Sequence, residues 1–280
     1  MNILVVNCGS SSLKFQLIDS ETEQVSASGN CERIGLDGKI TYKAHGDKFV
    51  TETDLPEHGI AIKKVLELLV DKERGVINSL DEIHAVGHRM VHGGEKFSSS
   101  VVITEDVIKD IESCNDLAPL HNPANILGVR ACQEAMPGVK HVAVFDTAFH
   151  QTMPAKAYLY GLPKEYYEKY GVRRYGFHGT SHSFVSKRLA ELAGLDYNNS
   201  KMIVCHIGSG ASISAIKDGK SIDTSMGMTP LEGLVMGTRS GDIDPAIIEF
   251  ICQKENISVS EMTTILNKKS GVLGLSGVSN

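Results

Sequence analysis

The 280-residue sequence has no C-x-x-C pair and no Cys/His group at zinc-finger spacing, although it holds six cysteines, at 8, 31, 114, 132, 205 and 252. Reduced thiols in an intracellular protein are therefore expected, not a disulfide framework. There is no excess of positive charge: 28 Lys and Arg stand against 34 Asp and Glu, a net charge of -6. That argues against nucleic acid or a membrane surface as partner, because both attract basic proteins. An anionic small molecule remains open, since a few local arginines can hold one. No apolar run approaches the roughly 20 residues a membrane helix needs. The first residues, Met1-Asn2-Ile3-Leu4-Val5-Val6-Asn7, run straight into a strand and carry no basic n-region or long h-region of a signal peptide. A cytoplasmic protein is expected. Walker-type and G-x-G-x-x-G loops are also missing at the candidate turns, so the familiar nucleotide folds gain no support.

With 41% hydrophobic and 22% charged residues the composition is that of a globular protein, and 280 residues suffice for two domains or one large α/β domain. Strand and helix patterns alternate. Ile3–Val6 and Leu13–Ile18 read as a hairpin across a Gly/Ser turn. Residues 60–70 have amphipathic helical spacing, and 83–91 and 141–145 read as strands, the latter ending at Asp146. Asn122-Pro123 supplies an N-cap and a proline at N1 for a helix to about Met136. Thr180 or Ser181 caps a helix through Ala193, with Gly194 at C′. Residues 202–207 and 211–216 form a second hairpin, Asp244-Pro245 opens a helix, and Ser258 with Glu261 forms a capping box. Residues 272–280 read as a Gly/Ser-rich loop.

The two hairpins resemble each other. Ile3-Leu4-Val5-Val6-Asn7-Cys8-Gly9-Ser10 aligns without gaps on Met202-Ile203-Val204-Cys205-His206-Ile207-Gly208-Ser209. The spacing points to a duplicated, two-domain protein. A Gly/Ser turn bares backbone N–H groups and lets a phosphate approach closely, so two such turns suit a polyphosphate; two ordinary tight turns are the plainer alternative.

Polar residues gather where strands end and turns begin: Asn7, Ser10, Ser12 and Lys14, then Arg89, His121, Asp146, His178, His206 and Arg239. Arginines among glycines, several histidines and a strand-end aspartate suit the anionic reaction centre of a phosphoryl transfer, with Mg²⁺ bridging the nucleotide phosphates. Each has a plainer alternative. Arg89 and Arg239 could be surface ion pairs, and Asp146 could cap a turn. His178 and His182 stand at i and i+4 but lack the glutamate of a zinc helix. His150 and His182 read as structural.

Together these segments resemble the acetate kinase family. The resemblance rests on Asn7-Cys8-Gly9-Ser10-Ser11-Ser12-Leu13-Lys14, Gly87-His88-Arg89-Met90-Val91-His92-Gly93-Gly94 and His121-Asn122-Pro123-Ala124-Asn125. It continues through Phe145-Asp146-Thr147-Ala148-Phe149-His150, Tyr175-Gly176-Phe177-His178-Gly179-Thr180-Ser181-His182, Asp223-Thr224-Ser225-Met226-Gly227 and Met236-Gly237-Thr238-Arg239-Ser240-Gly241-Asp242. It implies an α/β fold of two duplicated actin-like (ribonuclease H-like) domains, with mixed sheets flanked by helices around a cleft. The expected boundaries are 1–149 and 150–280, with the second domain incomplete. It also implies reversible transfer of a phosphoryl group from ATP to acetate, giving acetyl phosphate and ADP. Mg²⁺ is the implied metal, with Mn²⁺ as a substitute, and the implied assembly is a homodimer.

By the same resemblance, Arg89 and Arg239 hold the carboxylate and the moving phosphoryl group. Asp146 orients or deprotonates acetate, His178 stabilises the transition state and His121 assists. Asn7 helps position the metal, while Ser10, Ser12 and Lys14, with the turn His206, Ile207, Gly208, Ser209 and Gly210, serve the phosphates. Val91, Leu120, Phe177 and Pro230 match the pocket for the acetate methyl group.

The sequence departs from the family at Ser209, where many members have asparagine, and the family's chains continue past Asn280 with adenine-binding and magnesium-linked segments. Three alternatives follow: a propionate kinase, which differs by one methylene of pocket; a non-catalytic ATP-binding module of the same superfamily; and an inactive fragment.

Overall fold

The computed structural model describes residues 1–119 and 121–278. Its residues fall into two compact units, Met1–Phe145 and Asp146–Asn280. The first contains β1 (Asn2–Cys8), β2 (Ser12–Asp19), β3 (Val25–Glu32), β4 (Lys39–Ala44), β5 (Asp47–Glu52), α1 (His58–Leu69), β6 (Ile83–Met90), β7 (Val101–Val102), α2 (Glu105–Glu112), α3 (Asn122–Ala135) and β8 (Lys140–Phe145). The second contains α4 (Ala155–Tyr158), α5 (Lys164–Tyr170), α6 (Gly179–Ala193), β9 (Lys201–Ile207), β10 (Ala211–Lys217), β11 (Lys220–Thr224), α7 (Ala246–Glu255), α8 (Val259–Lys268) and α9 (Gly271–Ser276).

In the first unit the strands form an eight-stranded mixed sheet in the order β5-β4-β3-β2-β1-β6-β8-β7. Strands β1 to β5 pair antiparallel as a meander, whereas β6 runs parallel to β1 and β8 parallel to β6. Parallel neighbours need crossovers, and the connections carrying α1 and α3 provide them. Alternation sets the faces: Leu13, Phe15 and Leu17 of β2 point inward, and Lys14 and Gln16 outward. The inward set packs against Ile62, Val65 and Leu69 of α1. Each such side chain contributes about 1.5–3 kcal/mol on burial. Helix α3 comes so close to β1 that a Cβ on Gly128 would stand 2.3 Å from Cys8 Sγ, so only glycine fits there. In the second unit a three-stranded antiparallel sheet, β11-β10-β9, carries α6 against β9. Among the described residues no helix is long and apolar enough to cross a membrane.

Two helix starts and one loop differ from the sequence reading. The N-cap of α3 is His121, not Asn122. The Asn122 side chain is instead buried, accepting the His92 N–H at 3.1 Å and donating to the His92 carbonyl at 2.9 Å. Helix α6 starts at Gly179 with His178 at the N-cap, so Thr180 and Ser181 lie inside it. Finally, Gly271–Ser276 is helix, not loop. Its first turn is held by tertiary bonds, Val272 N–H to the Met236 carbonyl and Leu273 N–H to the Gly237 carbonyl, each 2.9 Å. A scan for local propensity does not see such partners.

Candidate active site

In the first unit the β1–β2 turn is closed by the Gly9 N–H, which donates to the Ser12 carbonyl at 2.8 Å. The His58 ring meets the Gly9 carbonyl at 2.7 Å, a support that no sequence motif announced. Ser10 and Lys14 are exposed, Asn7 and Ser12 half-buried. Lys14 lies directly across the ladder from Asn7, and half-buried Arg89, near the end of β6, donates to Asn7 Oδ1 at 3.5 Å. Asn125 ties the strand ends together, donating to the Cys8 carbonyl at 2.5 Å and accepting the Val91 N–H at 3.1 Å. Val91 is buried by this arrangement, and His121 is half-buried. Leu120 lies outside the described residues. The structure therefore brings Asn7, Lys14 and Arg89 together around one strand end.

In the second unit the matching hairpin is also antiparallel, with a turn one residue shorter. Strand β9 also has seven residues, like β1, and the Gly208 N–H closes its turn onto the Gly210 carbonyl at 3.1 Å. Asp146, just past β8, is 3% exposed, and its carbonyl accepts the Gly179 N–H at 2.8 Å. A Cβ at residue 179 would stand 2.3 Å from that carbonyl oxygen, so glycine is needed for this approach. His178 precedes it in the left-handed region, φ 58 and ψ 20. That conformation costs a non-glycine residue about 1–2 kcal/mol. The ring stacks on His206, centroids 4.0 Å apart.

Arg239 is half-buried, and burial lowers its pKa from the ordinary arginine value. Its Nη1 donates to the Pro230 carbonyl at 3.0 Å. Among the described residues no carboxylate pairs with it, so a surface ion pair is not its role. Its loop is fixed to the Gly/Ser turn by the Gly237 N–H, which donates to the Ser209 carbonyl at 3.2 Å. A Cβ placed on Gly210 would lie 3.4 Å from Arg239 Nη1 and 3.6 Å from His178 Nε2. A cationic fork and an imidazole thus converge on the space that glycine leaves open, as an oxyanion requires. Phe177 is 1% exposed and its carbonyl meets the His150 ring at 3.0 Å; Pro230 is half-buried.

Neighbouring candidates are held by contacts within the second unit. Arg173 stacks over Tyr158 at 3.8 Å, and Arg174 pairs with Glu232 at 2.6 Å. His150 and His182 are both fully buried. The residue that sequence reasoning missed is Ser212, also fully buried, whose hydroxyl lies 2.9 Å from His178 Nδ1 and 2.7 Å from His182 Nε2. Two serines, Ser212 and Ser214, on the buried face of β10 were the available signal.

Burial pushes His88 down to about 3, with His141 beside it, and His150 to about 4. It pushes His182 to about 3, helped by the neighbouring histidines. The unfolded chain takes up these protons below the ordinary imidazole value of 6.5, and the folded state refuses them. Their stability is therefore complete above that pH and lost as pH falls, at about 1.4 kcal/mol per group per pH unit. The urea midpoint should be level from pH 8 to 7 and fall steadily between 6.5 and 5. A midpoint that stays level to pH 5 would show that these rings take up protons in the folded state.

Comparison with known proteins agrees with this geometry. The acetokinase family model matches residues 2–280. An acetate kinase of Lachnoclostridium phytofermentans is 69% identical over all of this chain and 71% of its own length, and one of Agathobacter rectalis is 68% identical with the same coverage. The crystal structure of Porphyromonas gingivalis acetate kinase superposes with a TM-score of 0.96 at 53% identity, covering 100% of this chain and 71% of that one. A propionate kinase structure from Francisella tularensis gives 0.94 at 47% identity, again with 100% and 71% coverage. The mixed α/β, actin-like architecture is shared with these structures. By sequence and by fold, the chain belongs to the acetokinase family.

Proposed function

We propose that the protein is an acetate kinase, transferring the terminal phosphoryl group of ATP to acetate and, in reverse, that of acetyl phosphate to ADP. The observation that carries this reading is the convergence of Arg239 Nη1 and His178 Nε2 on the open space at Gly210, in a chain 69% identical to an acetate kinase. Acetate is already a nucleophile at neutral pH, so catalysis consists mainly of alignment and of offsetting negative charge. Arg239 and His178 are assigned to the oxygens of the moving phosphoryl group. The Asp146 carboxylate is assigned to orienting acetate, and Arg89 to its carboxylate, with His121 assisting. The backbone N–H groups of the Gly208–Gly210 turn, and Ser10, Ser12 and Lys14 at the first turn, are assigned to the nucleotide phosphates.

Among the described residues no three His, Cys, Asp or Glu side chains cluster as a metal site. A resident metal held by protein alone does not fit, but Mg²⁺ carried on nucleotide phosphates does, because it needs only one or two protein oxygens. Asn7, whose hard amide oxygen stands beside Arg89, is the proposed contact. Bound there, the ion would neutralise phosphate charge. A cytoplasmic homodimer is proposed on the same resemblance.

The reading is tested by a coupled assay with acetate, propionate and butyrate in parallel. Acetate is expected to give the highest kcat/KM. A one-methylene difference is worth about 10–200-fold, so a preference for propionate in that range would reassign the enzyme to the propionate kinases. Absence of turnover with all three would remove the kinase reading.

A further inference from the structure

We infer that Ser212 and His182 are positioning residues that hold His178 as a neutral imidazole with its proton on Nε2. The consequence rests on the proposed role of His178 in phosphoryl transfer. The tautomer itself rests only on the hydrogen-bond geometry.

Ser212, on β10, has one hydroxyl proton and two imidazole neighbours: His178 Nδ1 at 2.9 Å and His182 Nε2 at 2.7 Å. It can donate to one ring only and must accept from the other. His182 decides which. It is fully buried, and among the described residues its Nδ1 has no hydrogen-bond partner. A proton on Nδ1 would therefore bury an N–H with nothing to receive it. A proton on Nε2 leaves only a lone pair unmet, and orphaned buried N–H groups are the rarer defect. The Nε2–H of His182 then donates to Ser212 Oγ, and the hydroxyl proton is free to donate to His178 Nδ1. Accepting that bond leaves the single proton of a neutral His178 on Nε2.

This polarity suits the site. His178 Nε2 and Arg239 Nη1 lie 3.6 and 3.4 Å from the same point above Gly210, so the chain presents two N–H donors to one anion. The opposite tautomer would turn a nitrogen lone pair toward phosphoryl oxygens. Protonating His178 would also require its Nδ1–H to donate to Ser212, leaving the hydroxyl proton without its imidazole acceptor. Stacking on His206, which itself meets Ser181 Oγ at 2.9 Å, holds the plane of the ring.

The first test needs no variant. In the ¹⁵N-histidine-labelled, unliganded protein at neutral pH, long-range ¹H–¹⁵N correlations should show the Nε2–H tautomer for both His178 and His182. Observation of the Nδ1–H form at His178 overturns the inference, whatever reaction the protein catalyses. The second test is kinetic. Ser212→Ala, checked for folding by thermal melting, should lower kcat on the order of tenfold with little change in KM for either substrate, the signature of a contact made in the transition state. In the same labelled sample His178 should become a tautomer mixture, and Ser212→Thr, which keeps the hydroxyl, should recover most of the rate. A folded Ser212→Ala enzyme with unchanged kcat and an unchanged His178 spectrum would refute the relay. A correct tautomer in a protein that phosphorylates no short carboxylate would instead sink the proposed function and leave the tautomer standing.

Discussion

Asp146→Asn is expected to fold normally and to lose nearly all turnover, on the order of 10²–10⁴-fold in kcat, the range spanned by groups that handle or orient a reacting proton. The substitution is nearly isosteric, so the 3% exposed side chain keeps its volume and the backbone bond to Gly179 is untouched. What changes is charge. A buried carboxylate costs several kcal/mol of desolvation unless its surroundings compensate it, so a merely structural position gains little from ionisation. Here the neighbour His150 is itself held neutral by burial, although the Asp146 charge opposes that shift. The coupled assay and a thermal melt on the same preparation decide the matter. If the folded variant keeps more than about a tenth of kcat, Asp146 is a turn residue and acetate is oriented by something else.

Arg239→Leu should cost about 10²-fold or more in kcat, as loss of a preorganised donor to a developing charge usually does. The leucine fills part of the half-buried space, so folding is expected to survive even though the bond to the Pro230 carbonyl is lost. Arg239→Lys is the sharper experiment. An ammonium restores the charge but lacks the planar guanidinium whose Nη1 both bonds the Pro230 carbonyl and faces the space at Gly210, so recovery should stay under about a tenth of kcat. Arg89→Leu is expected to behave alike in the first unit. Full recovery with lysine would mean that charge alone matters at residue 239, and near-normal turnover in the leucine variant would remove it from the site.

Much of this molecule was legible in one sequence because its signals are local. Leu13–Ile18 reads as the second strand of a hairpin, and the structure has it within β2, paired antiparallel to β1. The Ser258–Glu261 capping box appears where the spacing places it. The repeat of residues 3–10 at 202–209 returns as two antiparallel hairpins, with a four-residue turn between Cys8 and Leu13 and a three-residue turn between Ile207 and Ala211, since a tight turn is dictated by residues within reach of each other along the chain. Tertiary structure decided the rest. Asn122 had the residue type of an N-cap but was taken by the His92 backbone, and Gly271–Ser276 became helix through N–H bonds donated to the Met236 and Gly237 carbonyls. The hydrogen-bond partners of the histidines also lay beyond the sequence. His150 and His182 read as structural in it, but nothing there tied His182 to His178 through one hydroxyl. Burial, stacking and a single hydroxyl at Ser212 separate the ring that faces the open space at Gly210 from those packed behind it. A proton's place depends on which polar atoms the fold brings within 3 Å, and chain spacing does not encode that.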